Sequence, residues 1–347
     1  MKSLEEAYLR NIAVPLGTSW LLAQCAEAKG RQAVWQQQRP ELLESLRELA
    51  MVQSAESSNR IEGVEVEKAR LRPLVLGRAV PMDRPEEEVV GYRRALSFVH
   101  KAKLEITPEV ILKIHALCQA GAGDAGRWKA RDNEIVEFDH SGGKTIRFKA
   151  LSARETPEAM KLLCDGFCRS VEAGQAPPLV LIAAFILDFL CIHPFRDGNG
   201  RVSRLITHLL LAQAGYTVGR WISLERLVEE SKETYYEALK KSSCAWHEER
   251  HDLLPWVNYF LHVLRLAYKE FSDRFEGAAR KIGKGALVED VVMSQWGEFT
   301  LGDIRSRLPT VSEQMVRKVL SRMRAAGAIQ LSGRGRGARW TLAKSRR

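Results

Sequence analysis

Apolar residues recur at helical spacing along most of the chain, and the pattern predicts a mainly α protein. Leu42, Leu43, Leu46, Leu49 and Ala50 form one stripe, with Pro15 and Pro40 punctuating the helices of the first fifty residues. A second amphipathic segment runs from Glu86 to Lys103 through Val89, Val90, Tyr92, Ala95, Leu96, Phe98 and Val99. Thr107-Pro108-Glu109 and Thr156-Pro157-Glu158 each place a capping threonine before a proline in the first turn, so both start helices. Leu179 to Cys191 is apolar on most faces and predicts a buried central helix. Arg201–Ala214, Glu229–Leu239 and Leu253–Tyr268 follow as amphipathic helices. Arg70–Arg84 contains Pro73 and Pro81 and is expected to be a connecting segment.

The period changes at Ile135–Phe138 and Thr145–Phe148, two short β-like runs around the turn-rich Asp139–Lys144. They predict a β-hairpin. Gly143-Lys144-Thr145 matches the end of a phosphate-binding P-loop, but that motif needs glycine at 138, which is Phe138.

A second change follows Ala278–Gly285, a linker candidate. Leu287–Met293, a segment from Thr300, and a segment capped by Ser312 and running to about Ala326 predict three helices. Gly327–Leu331 and Arg339–Leu342 predict strands around the glycine-arginine turn Ser332–Gly337. Three helices and a basic hairpin make the pattern of a winged helix-turn-helix. Gln314, Arg317, Lys318, Ser321 and Arg322 can face a DNA major groove, while Arg334, Arg336 and Arg339 on the wing meet phosphates.

Charge supports a separate C-terminal module. The net charge is +10 over 347 residues, yet Gly285–Arg347 alone holds twelve Lys/Arg against five Asp/Glu. Such a module on a near-neutral body implies an anionic partner, here DNA. Hydrophobic content of 45% and charged content of 28% are those of a soluble globular protein. The longest apolar run, Leu179–Ile192, contains Asp188 and is too short for a bilayer, so no membrane partner is expected. The N-terminus lacks the apolar core of a secretory signal, and six cysteines without Cys-x-x-Cys spacing read as reduced thiols, so a cytoplasmic protein is expected. His247-Glu248-Glu249-Arg250-His251 fits a zinc signature, but its charged neighbours and Pro255 describe an exposed helix end or loop, and a chance match.

The candidate chemistry lies in His193-Pro194-Phe195-Arg196-Asp197-Gly198-Asn199-Gly200-Arg201-Val202-Ser203-Arg204. The glycines let backbone approach a ligand, and the N–H groups opening the next helix form an anion site. Arg201 and Arg204, three apart, project from one side of the first turn and call for a polyanion such as a di- or triphosphate. Asp197 offers a hard oxygen for Mg²⁺ bridging phosphates. His193 can take a proton from an attacking hydroxyl at neutral pH. Upstream, Ser57-Ser58-Asn59-Arg60-Ile61-Glu62-Gly63 ends a helical pattern with Gly63 as C-terminal cap. Glu62 is then at the unfavourable helix end for an anion and does better with a cationic partner.

The twelve-residue stretch resembles the Fic (filamentation induced by cAMP) signature, His-x-Phe-x-(Asp/Glu)-Gly-Asn-Gly-Arg-x-x-Arg, at every fixed position. The resemblance covers roughly residues 45–270. It implies an all-helical fold with a β-hairpin flap, and transfer of AMP from ATP to a Ser, Thr or Tyr hydroxyl of a target protein or of the chain itself. By resemblance His193 is the base and Asp197 the Mg²⁺ ligand. Gly198, Asn199 and Gly200 hold the α- and β-phosphates, Arg201 the β- and Arg204 the γ-phosphate, and Tyr235-Tyr236 flank the adenine. The segment Ser58–Gly63 is similar to the family's inhibitory motif, (Ser/Thr)-x-x-x-Glu-(Gly/Asn), which pairs Glu62 with Arg204. The expected domains are 1–85 (helical, inhibitory), 86–277 (Fic) and 285–347 (winged helix), with a homodimer left open. Two other functions stay open: a DNA-binding regulator whose Fic body senses nucleotide, and removal of AMP at the same site.

Overall fold

In the computed structural model residues 2–38, 40–101, 104–138, 144–281, 284–293, 295, 297–309, 311–333 and 338–343 are described. The chain divides into Met1–Phe271 and Ser272–Arg347. The first is nearly all helix. Its helices are α1 (Glu6–Arg10), α2 (Leu16–Gln38), α3 (Pro40–Ile61), α4 (Lys68–Val75), α5 (Arg84–Lys101), α6 (Pro108–Cys118), α7 (Thr156–Glu172), α8 (Pro178–Ile192), α9 (Asn199–Gln213), α10 (Leu224–Glu230), α11 (Lys232–Ser243) and α12 (Leu254–Lys281). The strands β1 (Glu134–Phe138) and β2 (Lys144–Lys149) form an antiparallel hairpin between α6 and α7. Its loop, Asp139–Gly143, lies outside the described residues.

Helix α8 is the centre of the body. Of its fifteen residues all but Pro178 and Leu190 are buried, as an all-round apolar sequence requires. Helices α7 and α9 pack on it, and α5 packs in turn on α3, α6 and α9. This stacking brings the end of α3 to the start of α9. The inward face of α3 runs Leu43, Leu46, Ala50, Ser54, Ser57 and Ser58, whereas Leu49, expected inside, is 43% exposed. A stripe of period 3.6 that includes residues 43, 46 and 50 leaves residue 49 on the flank.

Three expectations change. Arg70–Arg84 is not all connector, because α4 carries Pro73 within it. Burial of Leu71, Leu74 and Val75 offsets the lost hydrogen bond, and the helix stops two residues later. Glu229–Leu239 is two helices meeting at Ser231. The last helix of the body runs beyond Tyr268 to Lys281, into the linker candidate, whose Ala-Ala-Arg-Lys run favours helix.

The second unit holds α13 (Lys284–Met293), α14 (Leu301–Arg307), α15 (Glu313–Ala325), β3 (Ile329–Ser332) and β4 (Arg339–Leu342). Thr300 and Asp303 form a reciprocal capping box on α14, and Ser312 caps α15 by accepting from Met315 N–H. Val288, Val292, Ile304, Val316, Val319 and Leu320 make its core. Strands β3 and β4 pair antiparallel, and Phe299 adds a bridge to Trp340. The turn residues Arg334 and Arg336 lie outside the described residues.

Candidate active site

His193 is the residue after α8, and it closes that helix in the left-handed region (φ 52°, ψ 60°). Its N–H donates to Phe189 O at 3.0 Å, and Nδ1 lies 3.3 Å from Leu190 O. A carbonyl can only accept, so Nδ1 carries the proton and Nε2 keeps a free lone pair. Burial pushes the pKa of the ring down to about 4, against the opposing pull of the Leu190 carbonyl. The imidazole is therefore neutral at pH 7 and able to accept a proton.

The loop after His193 is braced from beneath. Phe195 is fully buried and stacks on His115 at 3.7 Å. His115 accepts at Nδ1 from Gly126 N–H at 2.9 Å, so its Nε2 donates to Asp197 O at 3.2 Å. The sequence reading of His115 as a packed histidine holds, with this loop contact added. Asn199 is 3% exposed, and its side chain accepts from Phe195 N–H at 2.9 Å and donates to Phe195 O at 2.7 Å. Only its backbone faces the helix start.

Glycine serves both ends of the next turn, by its backbone conformation at Gly198 and by its missing side chain at Gly200. Gly198 has φ 80°, and a Cβ there would come 2.4 Å from the Gln119 side chain. At Gly200 a Cβ would meet Glu62 Oε1, so the bare backbone there is what lets the carboxylate approach. The Glu62 carboxylate thus rests on the N-terminal turn of α9, the position an anion favours.

Glu62 reaches that position from a capped helix end. Val64 N–H donates to Asn59 O and Gly63 N–H to Arg60 O, both at 3.0 Å, with Gly63 at φ 82°. This is a Schellman cap. Lys232 Nζ donates to Ile61 O at 2.8 Å and adds a cation at the same helix end. The cationic partner expected for Glu62 is Arg204, whose Nη2 donates to Oε1 at 2.7 Å. Arg204 also donates to Ser58 Oγ and Ser58 O, each at 2.9 Å. Burial is the largest influence and would lower its pKa, but Glu62 together with Tyr235 and Tyr92 outweighs it and raises the pKa.

Arg201 is 2% exposed and has a carboxylate of its own, Glu88 of α5. It also reaches Asn59 Oδ1 at 3.3 Å and Asp197 Oδ2 at 3.4 Å. With its amide oxygen turned to the loop, Gln119 accepts from Arg201 Nη2 at 2.9 Å. Sequence reasoning missed Glu88 and Gln119, which are ordinary residues of amphipathic helices. The one available signal was that two arginines at a helix N-terminus need two counter-charges, where only Glu62 was found.

A cavity of about 410 Å³ joins these parts, lined by Glu62, His193, Gly200, Arg204, Tyr235 and Tyr236, with Ile135 and Phe148 of the hairpin across from them. Tyr235 and Tyr236 meet edge to face at 5.1 Å, and Arg147 of β2 lies 5.9 Å from the Tyr236 ring. Asp197 projects elsewhere. Its side chain is 61% exposed and borders an adjoining polar cavity of about 340 Å³, with Oδ1 accepting from Gly198 N–H at 2.6 Å. One exposed carboxylate beside a phosphate-sized anion site fits the way Mg²⁺ binds, through one or two carboxylates plus substrate oxygens.

His247 and His251 do not form a metal pair. The segment is a series of turns, with Ala245 and Glu249 at positive φ. His247 bonds Lys149 O at 2.8 Å, whereas buried His251 bonds Ser3 Oγ at 2.8 Å.

A helical body with its catalytic-type histidine closing a central helix and an anion site opening the next defines a Fic-type fold. Residues 105–211 match the Fic/DOC family model. The chain carries a Fic domain. Glu62, Tyr235 and Tyr236 lie outside the matched residues. The chain is 30% identical over 168 residues to "Protein adenylyltransferase Fic" of Nematostella vectensis, covering 46% of this chain and 37% of that one. It is 25% identical over 181 residues to "Protein adenylyltransferase fic-1" of Caenorhabditis elegans, covering 51% and 32%. The match thus spans about a third of these relatives. A Fic family protein from Desulfovibrio desulfuricans G20 shares the fold with TM-score 0.61 and 21% identity, covering 97% of this chain and 98% of that one. A Fic domain-containing signaling protein from Bacteroides thetaiotaomicron gives 0.63 at 21% identity, covering 73% and 97%. No described helix is long and apolar enough to cross a membrane.

Proposed function

We propose that the chain transfers AMP from ATP to a hydroxyl of a protein, and that Glu62 holds the resting enzyme off. The observation carrying this reading is the Glu62 carboxylate seated on the α9 N-terminus and bonded to Arg204, inside the cavity of His193. A protein carboxylate fills the place where an anion-binding turn and a buried arginine would take a phosphate.

Once Glu62 withdraws, the α9 turn and Arg204 hold the triphosphate, with the adenine against Tyr235 and Tyr236. The hairpin offers an open strand edge to a target segment. Nε2 of His193 takes the proton of the target hydroxyl as its oxygen attacks the α-phosphorus. The bond to the β-phosphate oxygen breaks and pyrophosphate leaves. Asp197 would hold Mg²⁺, which supplies charge neutralisation on the phosphates. Positioning and electrostatics do most of the work in such a transfer.

The domain limits read from the sequence belong to this proposal, with 285–347 as a winged helix that binds nucleic acid. The exposed outer face of α15, with Arg317, Lys318, Ser321 and Arg322 opposite buried Val316, Val319 and Leu320, supports that part. Incubation with α-labelled ATP tests the enzyme: covalent label on protein, increased in Glu62→Gly and lost in His193→Ala, is expected. Promoter binding with no label in any variant would favour a nucleotide-sensing regulator instead. Loss of pre-attached AMP, catalysed by wild type but not Glu62→Gly, would assign removal to the same site.

A further inference from the structure

The left-handed backbone of His193 needs an explanation. A histidine at φ 52° and ψ 60° holds a left-handed backbone that residues with a side chain rarely adopt, and such a residue persists only where its surroundings over-determine it. The surroundings here come from one short segment at the root of the hairpin. Lys129 is 5% exposed; its Nζ donates to Ile192 O at 3.0 Å and its backbone N–H to Pro194 O at 2.9 Å. Asn133, the residue before β1, donates from Nδ2 to His193 O at 3.4 Å and to Phe195 O at 2.9 Å. Four successive carbonyls, 192 to 195, are thus held by two residues.

The same two residues tie the hairpin together. Lys129 Nζ also donates to Asn133 Oδ1 at 2.9 Å and to Leu151 O. It therefore spans the entry to β1, the exit from β2 and the end of α8. An ammonium at the C-terminus of α8 is favoured by the unpaired carbonyls and the helix dipole there.

We propose that Lys129 and Asn133 are positioning residues that lock His193 into its left-handed conformation and couple that conformation to the β1–β2 hairpin. A target segment that pairs with the hairpin then acts on the aim of the base through this clamp. The inference rests on the proposed AMP transfer for its catalytic part, and on backbone geometry alone for the clamp.

Two variants test it in the full chain. Lys129→Met keeps the aliphatic stem, and Asn133→Ala changes a half-buried side chain, so thermal melting of both should stay cooperative. Measured in a Glu62→Gly background, kcat for AMP transfer should fall roughly 10- to 100-fold, as expected for a misaligned base. The KM for ATP should stay within about twofold, since nucleotide binding is untouched. Hydrogen exchange of the amides of 193 and 195–199 should quicken in both variants, with α7 unchanged. Unchanged protection there would overturn the clamp, and so would a raised KM at constant kcat. If Glu62→Gly transfers no AMP, the proposed activity fails, while the exchange measurement still decides the clamp.

Discussion

Replacing Glu62 with glycine removes one partner of Arg204 and leaves two. The guanidinium keeps Ser58 Oγ and Ser58 O, each at 2.9 Å. What is lost is the bond to Oε1 at 2.7 Å, from a carboxylate whose side chain is 31% exposed. A hydrogen bond between charged groups contributes about 1.5–3 kcal/mol when buried. Partial exposure and solvent screening bring this to about 1–2 kcal/mol. A γ-phosphate can take Arg204 only after breaking that bond. The barrier converts to roughly a 5- to 30-fold penalty on the productive complex, at tenfold per 1.4 kcal/mol. Crowding adds to it, because the carboxylate fills the space above Gly200.

Two assays read this number independently. Initial rates with α-labelled ATP should rise by at least that factor in Glu62→Gly. Calorimetry should show wild type binding ATP and ADP about equally, and Glu62→Gly preferring ATP roughly 5- to 30-fold, the same penalty relieved. Glu62→Gln keeps the shape above Gly200 while removing the charge, so it should fall between the two. Equal transfer rates in wild type and Glu62→Gly, with no new preference for ATP, would refute the reasoning.

Other consequences follow from the same contacts. His193→Ala should abolish label transfer while leaving ATP affinity intact, measured by gel autoradiography and calorimetry. With the imidazole pKa near 4, kcat/KM should stay flat from pH 5 to 8 and drop only toward pH 4; an acid limb above pH 6 would contradict the burial of the ring. His193 and His251 are both pushed by burial down to about 4. The unfolded chain then binds more protons between pH 6.5 and 4, so the stability these groups provide is present above pH 6.5 and lost as pH falls to about 4. Thermal melting should track this, and the fall should be shallower in His251→Gln. Charge reversal of Arg317, Lys318 and Arg322 should weaken binding to duplex DNA and relax its sequence preference; unchanged affinity and preference would remove α15 from any such interface.

The signature His193–Arg204 was legible because its parts are contiguous, and the helix starts at Pro108, Leu301 and Glu313 were legible because caps are local chemistry; Thr156, read as a cap, is instead the first residue of α7, after Glu155, with no side-chain cap. Glu62 was legible through the resemblance of Ser58–Gly63 to the inhibitory motif, since a carboxylate at a helix C-terminus can equally be a solvated one. The supports of the site were not. Glu88, Gln119, Lys129 and Asn133 reach the motif from 62 to 113 residues away, and nothing in their local sequence separates them from solvated residues. Asn199 lies within the motif, yet the role of its side chain, which spans the backbone of Phe195, was not legible either.

The two arginines show why local reading stops there. Two guanidiniums in the first turn of a helix are unstable without counter-charge, whether or not a nucleotide is present. In the folded chain each has its own carboxylate, from a different helix: Glu88 of α5 for Arg201 and Glu62 of α3 for Arg204. Their surroundings differ in a way that assigns different freedom. The Arg201 side chain is 3% exposed and that of Glu88 13%, with Asn59, Gln119 and Asp197 completing the set. Glu62 is 31% exposed, ends a helix, and borders the open cavity. A ligand arriving in that cavity therefore meets the Glu62–Arg204 pair directly, whereas Glu88 lines the adjoining polar cavity beside Asp197. Displacement of Glu62 frees a single cation, Arg204, while Arg201 continues to brace the loop that aims Asp197.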